Sequence, residues 1–162
     1  LLNLRDTFGL RSCFNTVLRM WNPSGAPASV QGVFHPSYRS LQAQAAVLLG
    51  QKHLSIIKGG GGEFERHPSK DAVVFGLRDG AHIQETAGHI LHDTRKLHEA
   101  GKTVDLSDLW QGHVRDPFAI ATITGTAALA LWTLKAAPTP DEAHQLALGL
   151  WASRHHTESL SA

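Results

Sequence analysis

Apolar residues recur along this chain with two different periods, and these periods divide it into helices and strands. Repeats of three to four positions predict helices. The predicted helices cover residues 4–21, 87–100, 105–111, 116–135 and 141–154, and one more lies between Ser37, a candidate N-cap, and Gly50, a candidate C′ glycine. Short apolar runs bounded by turn residues predict strands. The predicted strands lie at 30–34, 54–57, 72–78 and 81–85.

Turn residues and strand composition indicate how these elements connect. Asp79-Gly80 separates two strand-like runs, which is a strong signal for a tight hairpin. The run 54–57 has almost no polar alternation, as expected of a strand covered on both faces. The order of elements therefore predicts an α/β fold, a partial sheet of parallel strands with an antiparallel hairpin, flanked by helices. Because this sheet is thin for so many helices, we expect further strands from upstream residues or from another chain.

Composition excludes several classes of protein. The chain has 162 residues, enough for one domain, and its net charge of +1 gives no global basic field for nucleic acid. The single cysteine, Cys13, rules out an intrachain disulfide framework and suits a reducing compartment. No apolar run approaches the roughly 18–20 residues that a membrane span requires. We therefore expect a cytoplasmic protein with no membrane partner.

Histidines are frequent in this chain, and three of them fall in the predicted helix 87–100. They are His89, His92 and His98, and Asp93 lies four residues after His89. Helical spacing can present two such ligands to a metal on one face. No second ligand cluster and no H-E-x-x-H motif accompany them. Solvated or hydrogen-bonded surface histidines are therefore the favoured interpretation.

Four consecutive glycines after the strand 54–57 form the most distinctive segment. It reads Lys58-Gly59-Gly60-Gly61-Gly62-Glu63-Phe64-Glu65. Such a run indicates backbone with positive φ, or another group that approaches the backbone closely. A strand that leads into a glycine loop is typical of a ligand site at the carboxyl end of an α/β sheet. A flexible surface turn explains the residues equally well, because the run is neither G-x-G-x-x-G nor a P-loop.

Polar residues in the first helix form a second candidate site. Arg11, Asn15 and Arg19 are spaced four residues apart and therefore share one helix face. Two guanidinium groups and an amide suit a carboxylate or phosphate, because arginine presents a planar fork of donors. A solvated helix face is the equally weighted alternative.

Charged residues around the glycines suggest the chemistry of that loop. Glu63 and Glu65 follow it, and carboxylates near a phosphate site commonly hold Mg²⁺. Lys58, Arg66 and Lys70 would attract an anion. A charged, mobile loop remains the alternative explanation.

Several segments, taken in order, resemble the anthranilate phosphoribosyltransferases. One stretch of the family reads Arg-x-x-Leu-Gly-x-Arg-Thr-x-Phe-Asn and is followed by Asn-Pro. The segments of this chain that resemble it are Arg5-Asp6-Thr7-Phe8-Gly9-Leu10-Arg11-Ser12-Cys13-Phe14-Asn15 and Asn22-Pro23. Lys58 to Glu65 stands where the family has His-Gly-x-Gly-Gly-Leu-Asp-Glu. The match also includes Gly32-Val33-Phe34-His35-Pro36, Leu48-Leu49-Gly50 and Leu77-Arg78-Asp79-Gly80. The resemblance covers residues 5–85 in register.

The resemblance implies an organisation and an activity. Residues 1–162 would be the C-terminal portion of a single nucleoside-phosphorylase-like α/β domain, and the N-terminal helical domain and the PRPP loop would be absent from this chain. The whole protein would be a homodimer, formed through that helical domain, that transfers phosphoribosyl from PRPP to anthranilate or another aromatic acid in tryptophan biosynthesis, with Mg²⁺. The chain alone is not expected to be active.

The resemblance also implies roles for individual residues. Arg11 matches the arginine that contacts the aromatic acid, and Glu65 matches the second acid of the family's Asp-Glu magnesium motif. The predicted metal ligands are Glu65 and Glu63. The predicted substrate-binding residues are Arg11, Asn15, Arg19, Lys58, Gly59, Gly60, Gly61 and Gly62. No catalytic residue is assigned.

Three departures from the family pattern suggest an alternative function. Phe64 stands in place of the magnesium-binding Asp, Lys58 replaces the loop histidine, and Leu18-Arg19 replaces Gly-Pro. The pattern resembles a divergent branch of anthranilate-phosphoribosyltransferase-like proteins, some of which bind nucleic acid. The alternative is therefore a non-enzymatic protein that binds single-stranded or double-stranded nucleic acid, with Arg19, Lys58 and Arg66 on the phosphates.

Overall fold

The structure is a computed structural model that describes residues 6–7, 9, 13–93, 95–97 and 104–155. The described helices are α1 (Phe14–Met20), α2 (Tyr38–Leu48), α3 (Leu106–Gln111), α4 (Pro117–Thr133) and α5 (Pro140–Ala152). The described strands are β1 (Ala28–Val33), β2 (His53–Lys58), β3 (Ala72–Arg78) and β4 (Ala81–Ala87). Most of the predicted elements are therefore confirmed, with ends that differ by a few residues.

The four strands form one mixed sheet in the order β1-β2-β3-β4. Strands β1 and β2 are parallel, with Ala28 opposite His53 and Val33 opposite Lys58. Strand β3 is antiparallel to both β2 and β4. The predicted α/β fold, with a parallel pair, an antiparallel hairpin and flanking helices, is confirmed.

Both faces of the sheet are covered, which explains the unbroken apolar character of β2. Leu54 and Ile56 belong to a buried cluster beneath α2, together with Val33, Ala43, Ala46 and Leu77. Ile57 belongs to a second cluster on the α4 and α5 side, which includes Val74, Leu129 and Trp132. On that same side, the hydroxyl of Thr133 donates to the hydroxyl of Ser55 at 2.6 Å. The one polar residue in the run is thus satisfied within the core.

The β3–β4 hairpin turns at the predicted dipeptide. Asp79 and Gly80 both have positive φ, 54° and 82°, as a two-residue type I′ turn requires. The turn is fixed from outside by Lys135, whose ammonium donates to both carboxylate oxygens of Asp79 at 2.8 Å. This hydrogen bond from Lys135 holds the pKa of Asp79 below its usual value.

Capping groups set several helix ends. The carboxylate of Asp116 accepts from the amides of Phe118 and Ala119, and Pro117 occupies the first turn of α4. At the end of α2, the amide of Gly50 donates to Val47 and that of Gln51 to Ala46, which confirms the predicted glycine stop. Ser37 lies at the N-cap position of α2, but its side chain makes no capping hydrogen bond. The predicted cap at Ser37 is therefore wrong in that respect.

The predicted helix 87–100 is wrong in its described part. Strand β4 continues to Ala87, and residues 88–93 and 95–97 are irregular. Tertiary hydrogen bonds replace the helical ones, because the amides of Ile90 and Leu91 donate to the carbonyl of Pro68 at 2.7 and 3.0 Å. The rings of His89 and His92 meet edge to face in this segment, with centroids 4.8 Å apart, and they do not share a helix face. His98 lies outside the described residues.

The first predicted helix is described only in part. Of the predicted helix 4–21, the structure describes α1 and the helical residues 6–7, and the other residues before Cys13, apart from Gly9, lie outside the described ranges. None of the described helices combines the length and the apolar character that would let it cross a membrane.

Candidate functional site

The carboxyl ends of the two parallel strands lie side by side and place the glycine loop. Val33 and Lys58 are the last residues of β1 and β2, and they are paired in the register. The amide of Gly59 then donates to the carbonyl of Val33 at 3.0 Å, so the loop turns toward β1 as it leaves β2. The carboxyl end of a parallel sheet is where α/β proteins commonly bind ligands. The glycine segment therefore occupies the position that the sequence predicted for it.

The loop packs directly onto β1. A Cβ atom placed on Gly32 would lie 2.5 Å from the carbonyl oxygen of Gly62 and closer still to the carbonyl group of Glu63. A Cβ on Gly59 would also overlap the carbonyl oxygen of Glu63. Close approach between backbone segments thus requires glycine at both positions. The loop is therefore folded against the sheet edge. Close packing explains the glycine at Gly32 in β1 and the glycine at Gly59 in the loop.

Arg19 connects helix α1 to this edge. Its Nη1 donates to the carbonyl of Gly32 at 2.7 Å and also to the carbonyl of Gly62. Gly62 has a φ of 92°, and a Cβ there would lie 2.5 Å from that same nitrogen. The guanidinium therefore bonds to protein backbone, and its contact with a substrate stays a prediction. Arg11 and the side chain of Asn15 lie outside what the structure describes.

The two residues after the glycines face in different directions. Both carboxylate oxygens of Glu63 accept from the amide of Gly61, at 3.0 and 2.8 Å. The half-buried ring of Phe64 packs against the core cluster that contains Ile57 and Trp132. The position that the resemblance assigns to an Asp thus holds an apolar side chain with a place in the core.

These residues do not fit a paired-carboxylate magnesium site. Mg²⁺ demands oxygen ligands in close to octahedral geometry. The Glu63 carboxylate is turned back on its own loop, and Phe64 offers no oxygen. Among the described residues, no three His, Cys, Asp or Glu side chains are grouped so that they could hold a metal ion. A metal-binding role for Glu65 stays a prediction.

A cavity of about 340 Å³ opens beside the glycine loop, and we call it the cationic cavity. It is lined by Arg39, Lys58, Arg66 and Lys70 and by two acidic residues, Glu65 and Asp71, among others. Three exposed or partly exposed cations, Arg39, Lys58 and Lys70, therefore line the cavity with two anionic residues, and Arg66 is buried behind them, which favours a ligand with negative charge. The sequence interpretation included Lys58, Arg66 and Lys70 but missed Arg39. Its only signal was its position in the first turn of the helix that follows β1.

Two of these arginines are held in place by their surroundings. The guanidinium of Arg39 lies 4.1 Å from the ring centroid of Phe75, and its Nε donates to the carbonyl of Pro36 at 3.2 Å. Arg66 is buried, with 3% of its surface exposed, and it donates from Nη2 to the carbonyl of Gly88. Within the described residues, Nε of Arg66 has no hydrogen-bond partner. Burial lowers the pKa of Arg66, against the opposing charges of Asp141 and Asp71.

Histidines modify the charge of the cavity wall. Oδ1 of Asp71 accepts from the amide of His89 and contacts its Nδ1, both at 2.8 Å. The hydrogen bond from the His89 ring, followed by that from its amide, holds the pKa of Asp71 below its usual value. Burial, followed by the charge of Lys70, lowers the pKa of His67, which also lines the cavity. At neutral pH the wall therefore carries an ionised Asp71 and a neutral His67.

A second, larger cavity of about 950 Å³ lies at the opposite ends of the parallel strands. It is lined mainly by apolar residues between α1 and α2, including Val17, Trp21 and Leu48. None of the described predicted site residues lines it. Of the predicted site residues, Lys58, Gly60 and Glu65 line the smaller, cationic cavity instead.

Curated proteins of the family predicted from the motifs are similar to this chain, although no protein-family model matches it. Anthranilate phosphoribosyltransferase from Methylibium petroleiphilum is 33% identical over 104 residues, which are 61% of this chain and 30% of that protein. The enzymes of the same name from Paraburkholderia phymatum and Burkholderia cenocepacia are each 35% identical over 77 residues, 48% of this chain and 22% of theirs. The predicted resemblance is confirmed, and the match spans less than a third of each relative.

Proposed function

We propose that the protein is a phosphoribosyltransferase-like glycosyltransferase that binds PRPP at the cationic cavity and transfers its phosphoribosyl group to an aromatic acid. The observation that carries the proposal is the cationic cavity beside a glycine loop, at the carboxyl end of β2 and the start of β3. Curated relatives named anthranilate phosphoribosyltransferase support the reaction class. The match spans under a third of those proteins, so the activity of the whole protein is itself part of the proposal.

The cationic side chains have a defined part in such a reaction. The bond between ribose C1 and a pyrophosphate oxygen breaks, a bond between C1 and the attacking atom of the acceptor forms, and the proton that this atom loses passes to solvent. Negative charge develops on the departing pyrophosphate, and donors already held in place stabilise it. Arg39 is held by Phe75 and Pro36, whereas Lys58 at the end of β2 and Lys70 before β3 are exposed and line the same cavity. Arg11 would orient the carboxylate of the acceptor, as the resemblance implies.

The test is the consumption of PRPP by the full-length protein, with anthranilate and several other aromatic acids as acceptors. We expect release of pyrophosphate, and Lys58→Met should lower kcat/KM about tenfold, as loss of one charge-assisted hydrogen bond predicts. Lys52→Met removes an exposed lysine that lines the distant apolar cavity and should leave kcat/KM unchanged. A folded protein that neither binds nor consumes PRPP would refute the proposal.

A second candidate function is nucleic-acid binding. Its support is the excess of cations around the cavity, together with loop residues that do not fit a magnesium pair. Side-chain cations alone can hold a phosphate backbone. We expect a gel shift with single-stranded or double-stranded nucleic acid that weakens steeply between about 50 and 200 mM salt. The double variant Lys58→Glu, Lys70→Glu should abolish it, whereas Lys52→Glu should not. Binding that resists salt, or survives the double variant, contradicts this function.

A further inference from the structure

We propose that the cationic cavity binds a pyrophosphate group without a divalent metal ion, because lysine and arginine side chains supply the positive charge that a metal would otherwise bring. The inference rests on the proposed function, in which the pyrophosphate end of PRPP occupies this cavity. It goes beyond that function in one respect, since it makes binding of the anion independent of Mg²⁺.

The first support is the chemistry of the loop residues. A divalent ion at a phosphate site needs protein carboxylates that can turn toward it. The Glu63 carboxylate accepts twice from Gly61 at the tip of its own loop, and the next side chain, Phe64, packs in the core. Glu65 does line the cavity. The other carboxylate of the lining, Asp71, is engaged by His89 and is not paired with Glu65 as a neighbouring residue in the loop.

The second support is the origin of the cations. Lys58 ends β2, Arg39 lies in the first turn of α2, and Lys70 and Arg66 come from the segment between the glycine loop and β3. Side chains from three separate elements therefore converge on one space. Cations that converge from separate elements can surround a bound anion. The cations of a solvated helix face, in contrast, would all come from one element. At about 340 Å³, the cavity falls within the roughly 300–1,000 Å³ of small-ligand sites.

The third support is the balance of charge on the wall of the cavity. Asp71 is engaged by the amide and the ring of His89, so its carboxylate already has donors. Arg66 lies deeper, where burial lowers its pKa and its Nη2 is bonded to Gly88. Lys58 and Lys70 remain exposed at the rim, where they can reach a ligand. With Arg66 bonded to Gly88, the lining keeps Arg39, Lys58 and Lys70 against Glu65 and Asp71, an excess of one positive charge.

The decisive experiment is calorimetry of the full-length protein with inorganic pyrophosphate, once in EDTA and once in excess MgCl₂. A site made of protein cations should bind equally well or more tightly in EDTA, because Mg²⁺ neutralises pyrophosphate in solution. Lys58→Met and Lys70→Met should each weaken binding about tenfold in EDTA, as loss of a charge-assisted hydrogen bond predicts. Lys52→Met is the matched control, with the same charge change and no expected effect.

Each alternative outcome overturns the inference or separates it from the proposed function. Binding seen only with Mg²⁺ would mean that a metal completes the site, while the proposed transferase function would survive. No binding in either condition, or equal binding by all three lysine variants, would mean that the cavity is not the anion site. Metal-independent pyrophosphate binding without any PRPP consumption would uphold the inference and refute the transferase. Two rim lysines are tested so that one variant still reports on the site if the other does not fold.

Discussion

Replacing Gly32 with alanine is expected to destabilise the protein by about 1–3 kcal/mol, the usual range for overpacking, and to displace the glycine loop. The added Cβ would overlap the carbonyl group of Glu63 and lie 2.5 Å from the carbonyl oxygen of Gly62. These are backbone atoms, so no side-chain rotation relieves the clash. Arg19 donates to the carbonyls of both Gly32 and Gly62, and its hydrogen bonds should weaken as well.

Urea denaturation measures the free energy of unfolding of the variant. Calorimetry with pyrophosphate measures whether displacement of the glycine loop weakens ligand binding. Gly149→Ala is the matched control, because Gly149 lies in α5 and a Cβ added there would meet nothing within 4 Å. That change should stabilise the protein by up to about 1 kcal/mol, since alanine favours a helix. If Gly32→Ala leaves both the stability and the binding intact, the loop does not rest on β1 as described.

Replacing Trp132 with alanine is expected to lower the free energy of unfolding by about 3–5 kcal/mol. Only 4% of this residue is exposed, and it packs in the cluster between the sheet and helices α4 and α5. Its Nε1 donates to the carbonyl of Pro138 at 3.3 Å, and the guanidinium of Arg78 lies 4.9 Å from its ring centroid. Alanine would remove these contacts and leave a void in the core.

Urea denaturation followed by circular dichroism is the appropriate measurement, because the fluorescence of the variant itself changes. Trp21→Ala is the control, since 65% of Trp21 is exposed. That substitution should alter the free energy of unfolding by less than about 0.5 kcal/mol. Equal losses in the two variants would contradict the assignment of Trp132 to the core.

The elements that sequence reasoning predicted correctly are those with strong local signals. Asp79-Gly80 specifies its turn through the positive φ of both residues, and no distant contact is needed to predict it. The apolar run of β2 indicated burial on both faces, because only a sheet covered by helices on each side makes such a run stable. Pro117 and Gly50 mark helix ends for equally local reasons.

The failures arise where distant residues decide the outcome. Residues 88–93 have a helical pattern, but Pro68 and Asp71 accept their amide hydrogens, and neither acceptor is near in sequence. The membership of the cationic cavity was only partly predictable for the same reason. Lys58, Arg66 and Lys70 flank one loop, whereas Arg39 reaches the site only because β1 and β2 are parallel. The backbone role of Arg19 likewise depends on tertiary contacts that the helical spacing did not reveal.

The packing of Phe64 has an evolutionary consequence. If a relative once carried Asp at this position, a single reversion here would now bury a carboxylate against Ile57 and Trp132, which is costly without a partner. An acid at this position would therefore require compensating changes in the apolar residues that surround the ring. A single Phe64→Asp change is therefore not expected to create a carboxylate pair with Glu65 without loss of stability.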